Sequence, residues 1–209
     1  MNSVTFESGA ITPSKIVCVG RNYVAHAREL GNSIPKEPVI FIKPNSAIAS
    51  AVNIADGDSV DHEAELSFLV QGGQLVAVAL GLDLTRRALQ EQLRAEGLPW
   101  ERAKAFDGSA VFSEFVSFDG DVENLSLRLY VNGELRQSGA YDLMLFKPES
   151  LLGDLQCFLT LTDGDILMTG TPAGVAELNI GDVLKGEVYR GEHLLVAREW
   201  TVAVREKEK

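Results

Sequence analysis

Apolar and polar residues alternate with a period of two over much of this chain, which predicts strands more often than helices. The clearest stretch is Glu63-Ala-Glu-Leu-Ser-Phe-Leu-Val70. On an extended strand Glu63, Glu65 and Ser67 share one face, and Ala64, Leu66 and Phe68 take the other. Gln71-Gly-Gly-Gln74 reads as a hairpin connection, and Leu75 to Leu80 as the returning strand. That strand runs into Gly81-Leu-Asp-Leu-Thr85, so Asp83 falls at or just past the end of a strand paired with the one carrying the glutamates. Further strands are predicted over Lys15–Val19, Val39–Ile42, Leu125–Val131 and Ile166–Met168. Lys43-Pro-Asn-Ser46 reads as a turn, and Asn132-Gly133 as a hairpin signal with Leu135-Arg-Gln137 opening the return. Lys185–Tyr189 and His193–Val204 form a closing hairpin around Arg190-Gly-Glu192. Helical spacing is confined to three segments. These are Val24–Leu30, closed by Gly31-Asn32; Arg86–Glu96, with Thr85 as N-cap and Gly97 as stop; and a helix opened by Pro148 through Leu151, Leu152, Leu155 and Phe158.

The 209 residues suit a single domain, with residues 1–14 as a lead-in and 205–209 as a fraying tail. An apolar fraction of 45% suffices for a substantial core. The net charge of −11 argues against nucleic acid as a partner, because phosphate binding needs a basic footprint. Cys18 and Cys157 each lie in an apolar run and read as small buried hydrophobes, without zinc spacing. The first residues lack a basic, apolar leader pattern, and no run approaches the ~18 apolar residues of a membrane span. The expectation is a soluble, cytoplasmic protein without a membrane partner.

Two carboxylates two residues apart on one strand face repel, and a cation between them removes the problem. Carboxylate oxygens are hard ligands, which points to Mg²⁺, Mn²⁺ or Ca²⁺. Alone, Glu63 and Glu65 read first as a solvated strand face; Asp83 adds a third carboxylate that strengthens the metal-site reading. His26 and Glu29 are neighbours on one helical face and can act as an acid/base pair or as a surface ion pair. The Gly and Pro residues around them suit a mobile lid. Lys104 alone reads as solvated, and His62 and His193 as surface or strand positions. The loop Thr169-Gly-Thr-Pro-Ala-Gly174 could present backbone N–H groups to an anion, or simply make a tight connection.

Six blocks in order carry a resemblance: Cys18-Val-Gly-Arg-Asn-Tyr23, His62-Glu-Ala-Glu-Leu66, Gly81-Leu-Asp-Leu-Thr-Arg-Arg87, Lys104-Ala-Phe-Asp107, Val131-Asn-Gly133 and Leu167-Met-Thr-Gly-Thr-Pro-Ala-Gly174. With these, the chain resembles the fumarylacetoacetate hydrolase family in its short, acylpyruvase-like form, from about Lys15 to about Val188. The resemblance implies a β-rich α+β fold, with a mixed sheet rolled on itself and few short helices, and a homodimer. It places Mg²⁺ or Mn²⁺ on Glu63, Glu65 and Asp83, and the active-site lysine on Lys104. It assigns His26 and Glu29 to the lid acid/base pair, and sets Arg21, Gln90 and Thr171 facing a small anionic 2-oxo acid. The implied reaction is cleavage of a C–C bond in a 2,4-diketo acid through a metal-stabilised enolate, with Lys104 near the developing oxyanion and Glu29, oriented by His26, activating water. Decarboxylation of oxaloacetate, or isomerisation of oxaloacetate or a hydroxymuconate-type diacid, would use the same metal site; an inert small-molecule-binding relative is the third reading. Two departures stand out. A short hairpin replaces a longer insertion between Glu65 and Asp83, and Ala88 stands where many members have an aspartate, which removes a partner expected for Arg87.

Overall fold

Seven strands form one continuous path of hydrogen bonding in the computed structural model, which describes residues 1–29, 31 and 33–205. The order is Val39–Pro44, Lys15–Gly20, Ile166–Met168, Ala64–Gln71, Gln74–Asp83, Ala110–Phe112 and Ile48–Ala49, with Val116–Ser117 also on Gln74–Asp83. The sheet is mixed: Ile166–Met168 runs parallel to Lys15–Gly20, and Ala110–Phe112 parallel to Ile48–Ala49, while the other pairs are antiparallel.

The order dictates the curl. The two ends of the path, Val39–Pro44 and Ile48–Ala49, are joined by the single 3₁₀ turn Asn45–Ala47. A flat sheet would separate its edges by six strand spacings, about 29 Å at ~4.8 Å each. Four residue steps reach about 14 Å at most. The sheet must therefore roll until its edges approach, as the expected fold requires.

A second, antiparallel sheet of Glu134–Ala140, Leu125–Val131, Val183–Arg190 and His193–Thr201 packs against it. Leu66, Phe68, Val78, Leu80 and Leu82 from the rolled sheet meet Leu127, Leu129, Leu184 and Val188 in one core. The approach is close: a Cβ on Gly186 would lie 2.4 Å from Leu80 Cδ2. The opposite face of the rolled sheet carries a second cluster with Ile16, Cys18, Leu69, Ala79, Phe115 and Met168. Both faces are thus buried, and the face shared by Glu65 and Ser67 is interior.

Several predicted elements end differently. Residues 1–14 include a hairpin, Val4–Phe6 with Gly9–Ile11, whose Val4 is buried in the second cluster. Lys43 belongs to strand Val39–Pro44 rather than to a turn. The helices are α1 (Val24–Glu29), α2 (Arg87–Ala95), α3 (Glu101–Lys104) and α4 (Pro148–Gln156). Residues Leu30 and Asn32 of the first predicted helix and its stop, and 206–209 of the tail, lie outside the described residues. Helix α4 stops before Phe158, which is exposed, and Cys157 is exposed while Cys18 is buried. The short hairpin between Glu65 and Asp83 turns through Gly72 and Gly73, both at positive φ. No helix among the described residues is long and apolar enough to cross a membrane.

Candidate active site

Strand pairing brings the three carboxylates together. Glu65 stands opposite Gly81 in the hairpin, and Asp83 N–H donates to the Glu63 carbonyl at 2.8 Å. The pleat then aims Glu63, Glu65 and Asp83 toward one point. One oxygen from each lies within 4.8 Å of the others, and the residues are only 5%, 2% and 1% exposed. Gly81 permits this packing, since a Cβ there would lie 2.2 Å from Ser67 Oγ. The solvated-face reading of the glutamates is excluded by their burial.

Buried anions need compensation, and the chain supplies cations to two of them. Lys104 Nζ donates to Glu63 Oε2 at 2.8 Å, Asp83 Oδ2 at 2.7 Å and Thr85 Oγ1 at 2.6 Å, which commits all three of its N–H donors. Arg87 pairs with Glu63, with Asp61 at 2.9 Å and with the Gln90 side-chain carbonyl at 2.6 Å. It therefore has partners despite Ala88. Burial pushes the Glu63 carboxyl up, but Lys104, Arg87 and His26 outweigh it and hold the group below its ordinary range. Thr85, expected as an N-cap, makes no side-chain cap; its hydroxyl accepts from Lys104 and donates to the Asp83 carbonyl.

Glu65 is treated differently. Its acceptor contact is with the Gly170 N–H at 2.7 Å, and burial together with Asp83 and Glu63 pushes its carboxyl well above the ordinary range. Asp83 Oδ1 is also incompletely used: Lys43 Nζ lies 2.8 Å away as an ion pair without hydrogen-bond geometry, which leaves that buried oxygen without a hydrogen-bond donor. An under-compensated buried carboxylate beside an orphaned carboxylate oxygen is a donor set that fits a hard divalent cation. Lys43 is fully buried and was missed from sequence, where the Lys-Pro-Asn-Ser pattern imitates a turn.

The loop 169–174 does present N–H groups to anions, and the anions are the protein's own side chains. Gly170 N–H serves Glu65, and Gly174 N–H reaches Glu29 at 3.1 and 3.3 Å. Gly174 sits at φ +99, where a Cβ would lie 1.9 Å from the Arg136 carbonyl oxygen, so only glycine closes this turn. Glu29 also meets His26 Nδ1 at 3.2 Å. His26 is buried and borders the same cleft as the carboxylates, whereas Glu29 is exposed behind it. Arg21, Gln90 and Thr171 border the cleft too, with Phe41, Arg94 and Trp100. The Thr171 hydroxyl is already engaged, donating to the Ala64 carbonyl at 2.9 Å and accepting from Gln137 at 2.7 Å. His62, expected on the surface or on a strand, is a buried strand residue whose Nδ1 pairs with the same Gln137 at 3.0 Å; His193 is exposed on its strand.

Comparison with known proteins fixes the family. Residues 15–202 match the model for the fumarylacetoacetate (FAA) hydrolase C-terminal domain. This chain belongs to the fumarylacetoacetate hydrolase family. As such it is similar to the oxaloacetate tautomerase YcgM of Escherichia coli (strain K12), at 41% identity over 82% of this chain and 86% of that protein. Among solved family structures, one from Oleispira antarctica superposes with a TM-score of 0.92 at 36% identity, covering 97% of this chain and all of that one. The fumarylpyruvate hydrolase of Pseudomonas aeruginosa, solved in complex with Mn²⁺ and pyruvate, superposes with a TM-score of 0.87 at 30% identity, covering 98% and 96%. The chain is thus an enzyme of this family, with an acidic cluster able to hold a metal.

Proposed function

We propose that this enzyme interconverts the keto and enol forms of oxaloacetate, moving one proton between C3 and the 2-oxo oxygen. The observation that carries the reading is that His26, braced by Glu29, borders the cleft of the carboxylate triad. Tautomerisation needs such a proton carrier and an enolate stabiliser, with no attacking water. The E. coli relative named oxaloacetate tautomerase supports this isomerase over the hydrolase expected from the sequence.

A Mg²⁺ or Mn²⁺ held by Glu63, Glu65 and Asp83 would supply Lewis-acid stabilisation of the developing enolate charge. The chain does the rest. Lys104 and Lys43 fix the Glu63 and Asp83 carboxylates; with its donors committed, Lys104 is a positioning residue rather than the oxyanion donor expected. Glu29, anchored on Gly174 N–H, occupies His26 Nδ1 and leaves Nε2 to exchange a proton with substrate. This reverses the expected order of the pair, because His26 borders the cleft and Glu29 does not.

The ultraviolet absorbance of enol-oxaloacetate follows the reaction directly. Wild-type protein with Mg²⁺ should accelerate interconversion, chelation should abolish the acceleration, and His26→Ala should slow it by about 10² or more. A second reading, acylpyruvate hydrolysis, is favoured by the Pseudomonas neighbour. Cleavage of an acylpyruvate without acceleration of oxaloacetate tautomerisation would replace the first reading by the second, and pyruvate released from oxaloacetate would indicate decarboxylation.

A further inference from the structure

Helix α2 turns one face to the cleft. Arg87, Gln90 and Arg94 follow one another at i, i+3 and i+7, and all three border the cavity. Arg87 and Gln90 lie toward the triad, tied to each other and to Glu63. Arg94, one turn further on, also borders the adjoining outer cavity, as do Arg21 and Trp100. Arg21 reaches this place from the end of strand Lys15–Gly20, with its backbone at φ +58. Two guanidinium groups from different parts of the chain thus converge at the end of the cleft away from the buried carboxylates. Both residues are half-buried. Glu91 also borders the outer cavity and is exposed.

We propose that Arg21 and Arg94 form a subsite for the second carboxylate of a dicarboxylic 2-oxo acid. The inference rests on the reading above, in which the enolate charge of the 2-oxo group develops at the triad end of the cleft. An anion between two converging guanidiniums relieves their mutual repulsion and accepts charge-assisted hydrogen bonds. Burial and the charge of Arg94 do hold the Arg21 guanidinium below its ordinary value. The other opening of the cleft is unlike this one. Past Phe41 and Trp100 it leads to a mostly apolar groove whose charged residues are Glu101, which repels a carboxylate, and Lys104, whose donors are spent on Glu63, Asp83 and Thr85. The subsite therefore selects dicarboxylates over monocarboxylates of similar length and sets which way the substrate lies.

The test measures binding and turnover separately. L-malate and 2-hydroxybutyrate differ by the distal carboxylate, and neither is turned over by a tautomerase. Calorimetry in Mg²⁺ should show malate binding the wild type more tightly. In Arg94→Gln and Arg21→Gln the preference should fall by about tenfold to a hundredfold, the worth of hydrogen bonds to a charged group. Arg94→Lys should retain part of it, which excludes a folding defect. With oxaloacetate, KM should rise more than kcat falls. An unchanged malate preference in both Gln variants, or equal losses for both ligands, would overturn the subsite. A malate preference that depends on both arginines in a protein without tautomerase activity would keep the subsite and refute the proposed reaction.

Discussion

Replacing Lys43 by Met tests the electrostatics of the site most directly. Lys43 is fully buried, with its ammonium 2.8 Å from Asp83 Oδ1 and donating to the Lys104 carbonyl. At an effective dielectric constant of about 20, the attraction across 2.8 Å is about 6 kcal/mol before desolvation is counted. Removing the lysine also removes its own desolvation penalty, and Met keeps most of the apolar stem. What remains is a buried Asp83 with only Lys104 as a cation partner, beside Glu65 and Glu63. Breaking one partner out of a buried pair costs about 3–5 kcal/mol, a large share of the ~5–15 kcal/mol that holds a typical domain folded. Urea unfolding in EDTA should show that loss. In saturating Mg²⁺ the gap to wild type should narrow, because the cation supplies charge where the ammonium is missing and stabilises the native state by mass action. A loss below about 1 kcal/mol in EDTA would refute the claim that Lys43 neutralises Asp83. An equal loss with and without Mg²⁺ would refute the claim that lysine and metal share one electrostatic role.

Asp165, fully buried, accepts from Ser14 N–H and hydroxyl, Lys15 N–H and ammonium, and Thr162 N–H, which pins strand Lys15–Gly20 to Ile166–Met168. Asp165→Asn turns an amide NH₂ toward donors and should cost about 3–5 kcal/mol in urea unfolding at neutral pH; a cost below about 1 kcal/mol would refute the network's importance. Burial raises this carboxyl, but the Lys15 and backbone hydrogen bonds outweigh it and hold it below its ordinary value. Its contribution is therefore complete above the unfolded-state pKa and lost as pH falls through the lower folded one, so wild type should converge on Asp165→Asn in strong acid. Gly174→Ala must move the loop that anchors Glu29, since the new Cβ meets the Arg136 carbonyl; turnover should fall with stability, and full turnover would show that Glu29 does not need this anchor.

The sequence pattern located the longer strands and even the face shared by Glu63, Glu65 and Ser67, because side-chain alternation is local, but not the short strands Val4–Phe6, Gly9–Ile11, Ile48–Ala49 and Ala110–Phe112. It could not say whether that face met water. Burial there follows from the rolling of the sheet, set by the short Asn45–Ala47 link between strands that lie at opposite edges of the sheet order. Lys104 looked solvated because its partners Glu63 and Asp83 lie 41 and 21 residues away in sequence. Lys43 was lost to turn chemistry, and Thr85 to N-cap chemistry; both local signals were overridden by contacts with the triad and its lysine. Tertiary context also decided His62, whose partner Gln137 comes from the second sheet. Of the expected site, the triad, Lys104, His26, Arg21, Gln90 and Thr171 do border one cleft. What spacing could not give was the division of labour among them, since it depends on which donors are already spent.

That division follows from opposing requirements on the triad. Three bare carboxylates within 4.8 Å of one another would oppose folding, and three carboxylates fully satisfied by lysine and arginine would have nothing left to offer a metal. The protein neutralises unevenly. Glu63 is saturated by Lys104 and Arg87, Asp83 is held through one oxygen by Lys104 and faced obliquely by Lys43 at the other, and Glu65 rests on a backbone N–H. Two of the carboxylates carry their own cations, which lowers the electrostatic cost of burying the triad in the absence of a metal. The chain retains attraction for a divalent ion because the third carries none, and because one oxygen of the second has no hydrogen-bond donor. The groups that enforce this asymmetry come from strand Val39–Pro44, helices α2 and α3 and the loop after Met168. Elements distant in sequence must all be docked for the carboxylates to be compensated in this way, so the metal-binding geometry depends on the closed, rolled sheet.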